Sequence, residues 1–84
     1  LPFQYITITV EVDSSSNVKS PIKITTSLTT TIKGCIIVNA SASNSYPTAA
    51  PFITFTAVNG ILEINKVIGL PANTKFEITL LVVS

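Results

Sequence analysis

Glu11 and Asp13 are the closest this chain comes to a catalytic carboxylate pair. Two residues apart on an alternating segment, they share one strand face, where one carboxyl can act as acid and the other as base or nucleophile. The same position, close to a strand end, suits two solvent-side charges, and that plainer reading is preferred. Glu63 and Glu77 fall on outward positions of later strands and are expected to meet Lys66 or Lys75 across a sheet. Such exposed pairs contribute under about 1 kcal/mol. Cys35 lacks the base that makes a thiol a nucleophile, since the chain has no His. It heads an apolar run and is expected to be a buried, inert thiol. The serines lack a His for the same reason. The three glycines stand apart at 34, 60 and 69, so no glycine-rich phosphate loop exists. One Cys and no His leave no set of metal ligands. No catalytic residue, cofactor or metal is therefore expected.

Binding character is confined to Tyr46-Pro47-Thr48-Ala49-Ala50-Pro51-Phe52. An aromatic ring beside a proline is a stiff, flat surface suited to a sugar ring or a partner chain, which makes Tyr46, Pro47, Pro51 and Phe52 candidate contacts. A proline-stiffened loop closing one end of a fold explains the same residues and is preferred. Threonine rows at Thr7/Thr9, Thr25/Thr29/Thr31 and Thr54/Thr56 resemble the flat arrays of ice-binding surfaces. They follow no fixed repeat, so ordinary β-propensity accounts for them.

The elements that must carry these residues alternate with a period of two, the strand period. From Phe3 to Asp13, Ile6, Ile8, Val10 and Val12 take one face, and Thr7, Thr9, Glu11 and Asp13 the other. Asp13-Ser14-Ser15-Ser16-Asn17 is a polar turn. Val18, Ile22, Ile24, Leu28 and Ile32 then alternate against Lys19, Lys23, Thr25, Thr29 and Lys33, with Pro21 confined to a strand start, an edge or a bulge. Pro21 to Lys33 is long for one strand, and Thr29-Thr30-Thr31 is the expected bend. Cys35 to Ala42 reads as a short, more buried strand centred on Ile36, Ile37 and Val38. Phe52 to Val58 and Ile61 to Val67 flank Asn59-Gly60, a type I′ hairpin signal. The last strand, Lys75 to Val83, turns Phe76, Ile78, Leu80 and Val82 inward. The reading is all-β: a single domain over residues 1–84, a small antiparallel β-sandwich of about six strands, Ig-like or jelly-roll-like.

Composition narrows the partners. Of 84 residues, 46% are hydrophobic and 11% charged, the net charge is +1 and there is no Arg. That is too little basic excess for nucleic acid. The longest apolar runs, Cys35 to Val38 and Leu80 to Val83, fall far short of the roughly 20 residues of a membrane-spanning helix. Asn39-Ala40-Ser41 is a glycosylation sequon. With 12 Thr and 9 Ser, about one is expected by chance, and it carries no weight. A start at Leu1 rather than Met is expected of a mature or clipped chain. A core this small is marginal, and without a disulfide or metal the remaining stabiliser is association.

Val67-Ile68-Gly69-Leu70-Pro71-Ala72-Asn73-Thr74-Lys75-Phe76 and the strand to Val83 resemble the E–F corner of fibronectin type III and other immunoglobulin-like modules. Similar corners occur in small sandwich modules on virion fibres and capsid surfaces. The likeness covers residues 67–83. It departs from the family in lacking the core Trp and in placing Phe76 where the corner Tyr stands. It implies a further strand after Val83, and its lack suggests an uncovered margin at Leu80 to Val83. Phe3, Tyr5, Ile6, Ile8, Val10, Leu81 and Val83 are accordingly expected to be strand-edge assembly residues. The expected function is a non-enzymatic structural protein, a virion capsid, decoration or fibre-head subunit, partnered by its own copies or other virion proteins. One alternative is an extracellular filament or surface-layer subunit donating Leu1 to Val12. A second is a carbohydrate-binding module using the Tyr46–Phe52 loop. A virion or extracellular location goes with all three.

Overall fold

The structure, a computed structural model, describes residues 2–28 and 31–84. It consists of β1 (Phe3–Val10), β2 (Asn17–Thr25), β3 (Gly34–Ser41), β4 (Phe52–Val58), β5 (Ile61–Ile68) and β6 (Phe76–Val83). These form two three-stranded antiparallel sheets: sheet I in the order β1-β6-β3, and sheet II in the order β2-β5-β4. No helix among the described residues is long and apolar enough to cross a membrane.

The core lies where the two central strands face each other. In β6, strict alternation sends Phe76, Ile78, Leu80 and Val82 inward, each 0% exposed. In β5, Leu62, Ile64 and Val67 are buried although Ile64 and Val67 are three apart. The reason is a bulge: Thr54 pairs with Lys66 and Phe55 with Ile64, so Asn65 is an extra residue that shifts the inward phase by one. Val10 and Val12 close the core from the β1 side, and Ile53 from β4.

Three local devices fix the connections. Asn59 (φ 52°) and Gly60 (φ 77°) both adopt the left-handed conformation that the type I′ turn between β4 and β5 demands. At the end of β1, Val12 bridges Val18, with Asp13 N donating to Asn17 O and Lys19 N to Glu11 O, so β1 folds directly into β2. Between β5 and β6, the 69–75 segment crosses from sheet II to sheet I. Gly69 (φ 95°) and Asn73 (φ 60°) turn it, and Leu70 is buried beneath it.

Three expectations are corrected. The second strand ends at Thr25, ahead of the expected bend at Thr29-Thr30-Thr31, because the Thr26 N–H and hydroxyl both donate to Gly60 O and pull the chain onto the hairpin tip. The anticipated bend at Thr29-Thr30-Thr31 lies largely outside the described residues, as do the Thr29 and Leu1 positions. Ile36 and Val38 are not core. β3 is an edge strand whose outer side is uncovered, so only Cys35 and, in part, Ile37 and Ala40 turn inward. Leu81 and Val83 do not lie on a free margin. β6 is the middle strand of sheet I, hydrogen-bonded to β1 on one side and β3 on the other.

Candidate assembly surfaces

The register of sheet I stacks its outward side chains in rows. Phe3, Val83 and Gly34 form one row, and Tyr5, Leu81 and Ile36 the next. Thr7, Thr79 and Asn39 follow, then Thr9, Glu77 and Ser41. Half of this outer face is therefore apolar and half polar. Tyr5 is 60% and Ile36 58% exposed, and Val38, the extra residue of a β3 bulge, joins them. Phe3 and Tyr5 meet edge to face with ring centroids 5.7 Å apart, and a shallow depression lies over Phe3, Tyr5, Leu81 and Val83. On the polar half, Thr7 and Thr79 hydroxyls are 3.1 Å apart. Of the expected strand-edge residues, Phe3 and Tyr5 face out on β1. Ile6, Ile8 and Val10 face in toward the core, and Leu81 and Val83 contribute to the outer face rather than to a margin. Ile36 and Val38 were missed. The available signal was the outward row of the last strand, which changes from Glu77 and Thr79 to Leu81 and Val83 partway along.

The loop at the other candidate site places Tyr46 86% exposed, with Pro47 and Pro51 half-buried and Phe52 opening β4 on the outside of sheet II. It is anchored by the Thr48 N–H, which donates to Gly69 O at 2.7 Å, and by the Thr48 hydroxyl on the same oxygen. Among the described residues the aromatic pair is Phe3 with Tyr5, so Tyr46 stands without a stacked ring.

Three of the four carboxylates, Glu11, Asp13 and Glu63, are spoken for separately. Glu11 holds Lys19 at 2.9 Å, and Glu63 approaches Lys23 at 3.8 Å, its cross-strand neighbour on β2, rather than Lys66 or Lys75. Asp13 accepts the N–H of Asn17 (3.0 Å) and of Ser15 (2.8 Å), and these backbone bonds hold its carboxyl below the ordinary value. Glu11 and Asp13 thus serve an ion pair and a turn. Burial pushes the Cys35 thiol up to about 11. Among the described residues no three His, Cys, Asp or Glu side chains converge.

No protein-family model, no curated protein and no solved structure matches this chain.

Proposed function

We propose that the protein is a non-enzymatic structural subunit, a capsid, decoration or fibre-head protein displayed on a virion, joined to its neighbours through sheet I. One observation carries this reading: Phe3, Tyr5, Ile36, Val38, Leu81 and Val83 form a contiguous apolar half-face on the outside of the sheet. Water disfavours such area by about 25 cal/mol per Å², and contiguous patches of this kind mark interaction sites. The separate commitments of Glu11, Asp13 and Glu63 and an unactivated thiol support a role without chemistry. The filament reading draws on β1, which lies at a margin of sheet I, and goes with a subunit outside a cell.

Light scattering and negative-stain imaging of the whole chain test the proposal. Self-association that Ile36→Lys weakens is expected, with closed rings or shell-bound particles for the virion reading and open fibres for the filament reading. A chain that stays monomeric at every concentration and binds no particle overturns both. Carbohydrate binding is a separate proposal, resting on the exposure of Tyr46. It predicts glycan-array signals that Tyr46→Ala abolishes, and a blank array for the wild type sinks it.

A further inference from the structure

Among the described residues four strands lie at the margins of the two sheets, β1, β3, β4 and β2, the last already bonded by residues 11–13 along Asn17–Lys19. Three of them border an irregular ladder. The pairing of β2 is irregular between Asn17 and Ile22, where Pro21 sits between Lys19 and Lys23. That of β3 is bulged at Val38, and that of β4 is interrupted between Thr54 and Phe55 by the extra residue Asn65 of β5. Among the described residues, β1 alone keeps an unbroken ladder, from Phe3 opposite Val83 to Val10 opposite Phe76, and it contains neither charge nor proline. Natural sheets blunt their edges with twists, bulges, charges and proline, so the edge with a regular, uncharged ladder is the one best suited to be paired.

The direction of its hydrogen bonds identifies the open groups. Ser84 N donates to Pro2 O at 3.1 Å, which makes Pro2 and Ser84 a bonded pair. By antiparallel alternation Gln4, Ile6, Ile8 and Val10 turn their backbone groups toward β6, while Phe3, Tyr5, Thr7 and Thr9 turn theirs away. Lys33 N donating to Val83 O at 2.8 Å agrees, because Val83 then bonds β3 rather than Phe3. Among the described residues, nothing bonds the outward backbone of Phe3, Tyr5, Thr7 or Thr9. From Glu11 onward the same margin is taken, because Lys19 N donates to Glu11 O.

We propose that a second copy of this chain completes sheet I, its β1 lying antiparallel to the first along Phe3 to Thr9. This rests on the structural-subunit reading and names its partner. The match is self-complementary. A two-fold axis between facing Ile6 residues sets Phe3 opposite the partner's Thr9 and Tyr5 opposite the partner's Thr7, so all four open residues pair and every side chain keeps its face. Sliding the register to face Thr7 with Thr7 brings Phe3 against Glu11, whose bonds are already used by Lys19. Sliding it the other way, to face Tyr5 with Tyr5, carries Thr9 beyond the described residues and pairs Phe3, Tyr5 and Thr7 alone within them. The absence of charge in β1 means that two identical strands meet without repulsion, while Lys19 and Lys23 alongside are held by Glu11 and Glu63.

Sedimentation equilibrium on the whole chain is the test, with disulfide trapping to read the register. Thr7→Pro removes an outward N–H without touching the bonds to β6. It is expected to weaken dimerisation at least about tenfold, a ratio well within reach of the method. If that variant does not fold, Thr7→Lys sets two ammonium groups diagonally across the seam and is expected to weaken the dimer in a way that salt reverses. In a Cys35→Ala background, Ile6→Cys faces its own copy at about 4.5 Å between Cα atoms, within disulfide reach, and is expected to form covalent dimers where Ile8→Cys does not. Association that ignores the Thr7 variants and leaves Ile6→Cys uncrosslinked overturns the edge pairing alone and leaves the structural-subunit reading standing. A wild type that stays monomeric at every concentration overturns both the pairing and self-assembly.

Discussion

Gly60 is the residue with the least freedom to change. Its φ of 77° is strained for any L side chain, and a Cβ there would lie 2.9 Å from Leu28 O. Gly60 O also anchors the Thr26 N–H and hydroxyl, so displacing the tip loosens the chain leaving β2. Gly60→Ala is expected to lower unfolding stability by about 1–3 kcal/mol, measured by urea denaturation. Asp13 makes a pH prediction. Its carboxyl is held below the ordinary 3.8, first by the Asn17 N–H and then by that of Ser15. A depressed folded value means that the contribution is whole above the unfolded value and is lost as pH falls through the folded one. The wild type should therefore lose stability below about pH 4 more steeply than Asp13→Ala, compared by urea midpoints at pH 7 and pH 3. Equal slopes would show that the turn draws nothing from the charge. Cys35, with its thiol pushed up to about 11, should react with a disulfide reagent at pH 8 far more slowly folded than unfolded.

At the scale of elements, what was legible in the sequence depended on whether a strand is central or peripheral. The inward row of β6 and the Asn59-Gly60 hairpin follow from local rules, period two and positive φ, and the structure has both. Strand order is a non-local property, and there the reading failed for Leu81 and Val83. An apolar strand late in the chain looks the same whether it lies at a margin or between β1 and β3. The Ile36-Ile37-Val38 run misled for a related reason, since three apolar neighbours fit a strand covered on both faces as well as one lining an uncovered apolar face. Thr25, where β2 stops, was hidden because the capping oxygen belongs to Gly60, far along the chain. Burial then sets the energetic ranking. Leu80→Ala, in the middle of β6 and fully buried, is expected to cost about 2–5 kcal/mol. Leu81→Thr, one residue on but facing outward, should leave the unfolding midpoint of the isolated chain nearly unchanged while reducing its self-association. A Leu81→Thr variant as unstable as Leu80→Ala would place that side chain in the core and remove it from the assembly surface.

The outer face of sheet I is polarised along its strands. Glu11, Lys19, Lys75 and Glu77 gather with Asp13 at the end where β1 turns into β2, around clefts that they share with Thr9. The opposite half of sheet I carries Phe3, Tyr5, Ile36, Leu81 and Val83 on its outside. With a net charge of +1, copies meet without long-range repulsion, and the contact surface proposed for them holds uncharged side chains and neutral backbone groups. Coulomb screening, which acts over about 10 Å at 0.1 M salt, therefore has little to act on. Apolar association strengthens with excluded salts such as sulfate and weakens on cooling. The dissociation constant of the wild-type chain is expected to change by less than about threefold between 0.05 and 0.5 M sodium chloride, to tighten in sodium sulfate, and to loosen on cooling toward 5 °C. Because association stabilises the folded state by mass action, the melting temperature should rise with chain concentration in sulfate. A steep loss of association in chloride would move the contact to the charged end, where Glu11, Lys19 and Glu77 lie, and would take sheet I's apolar half out of the assembly.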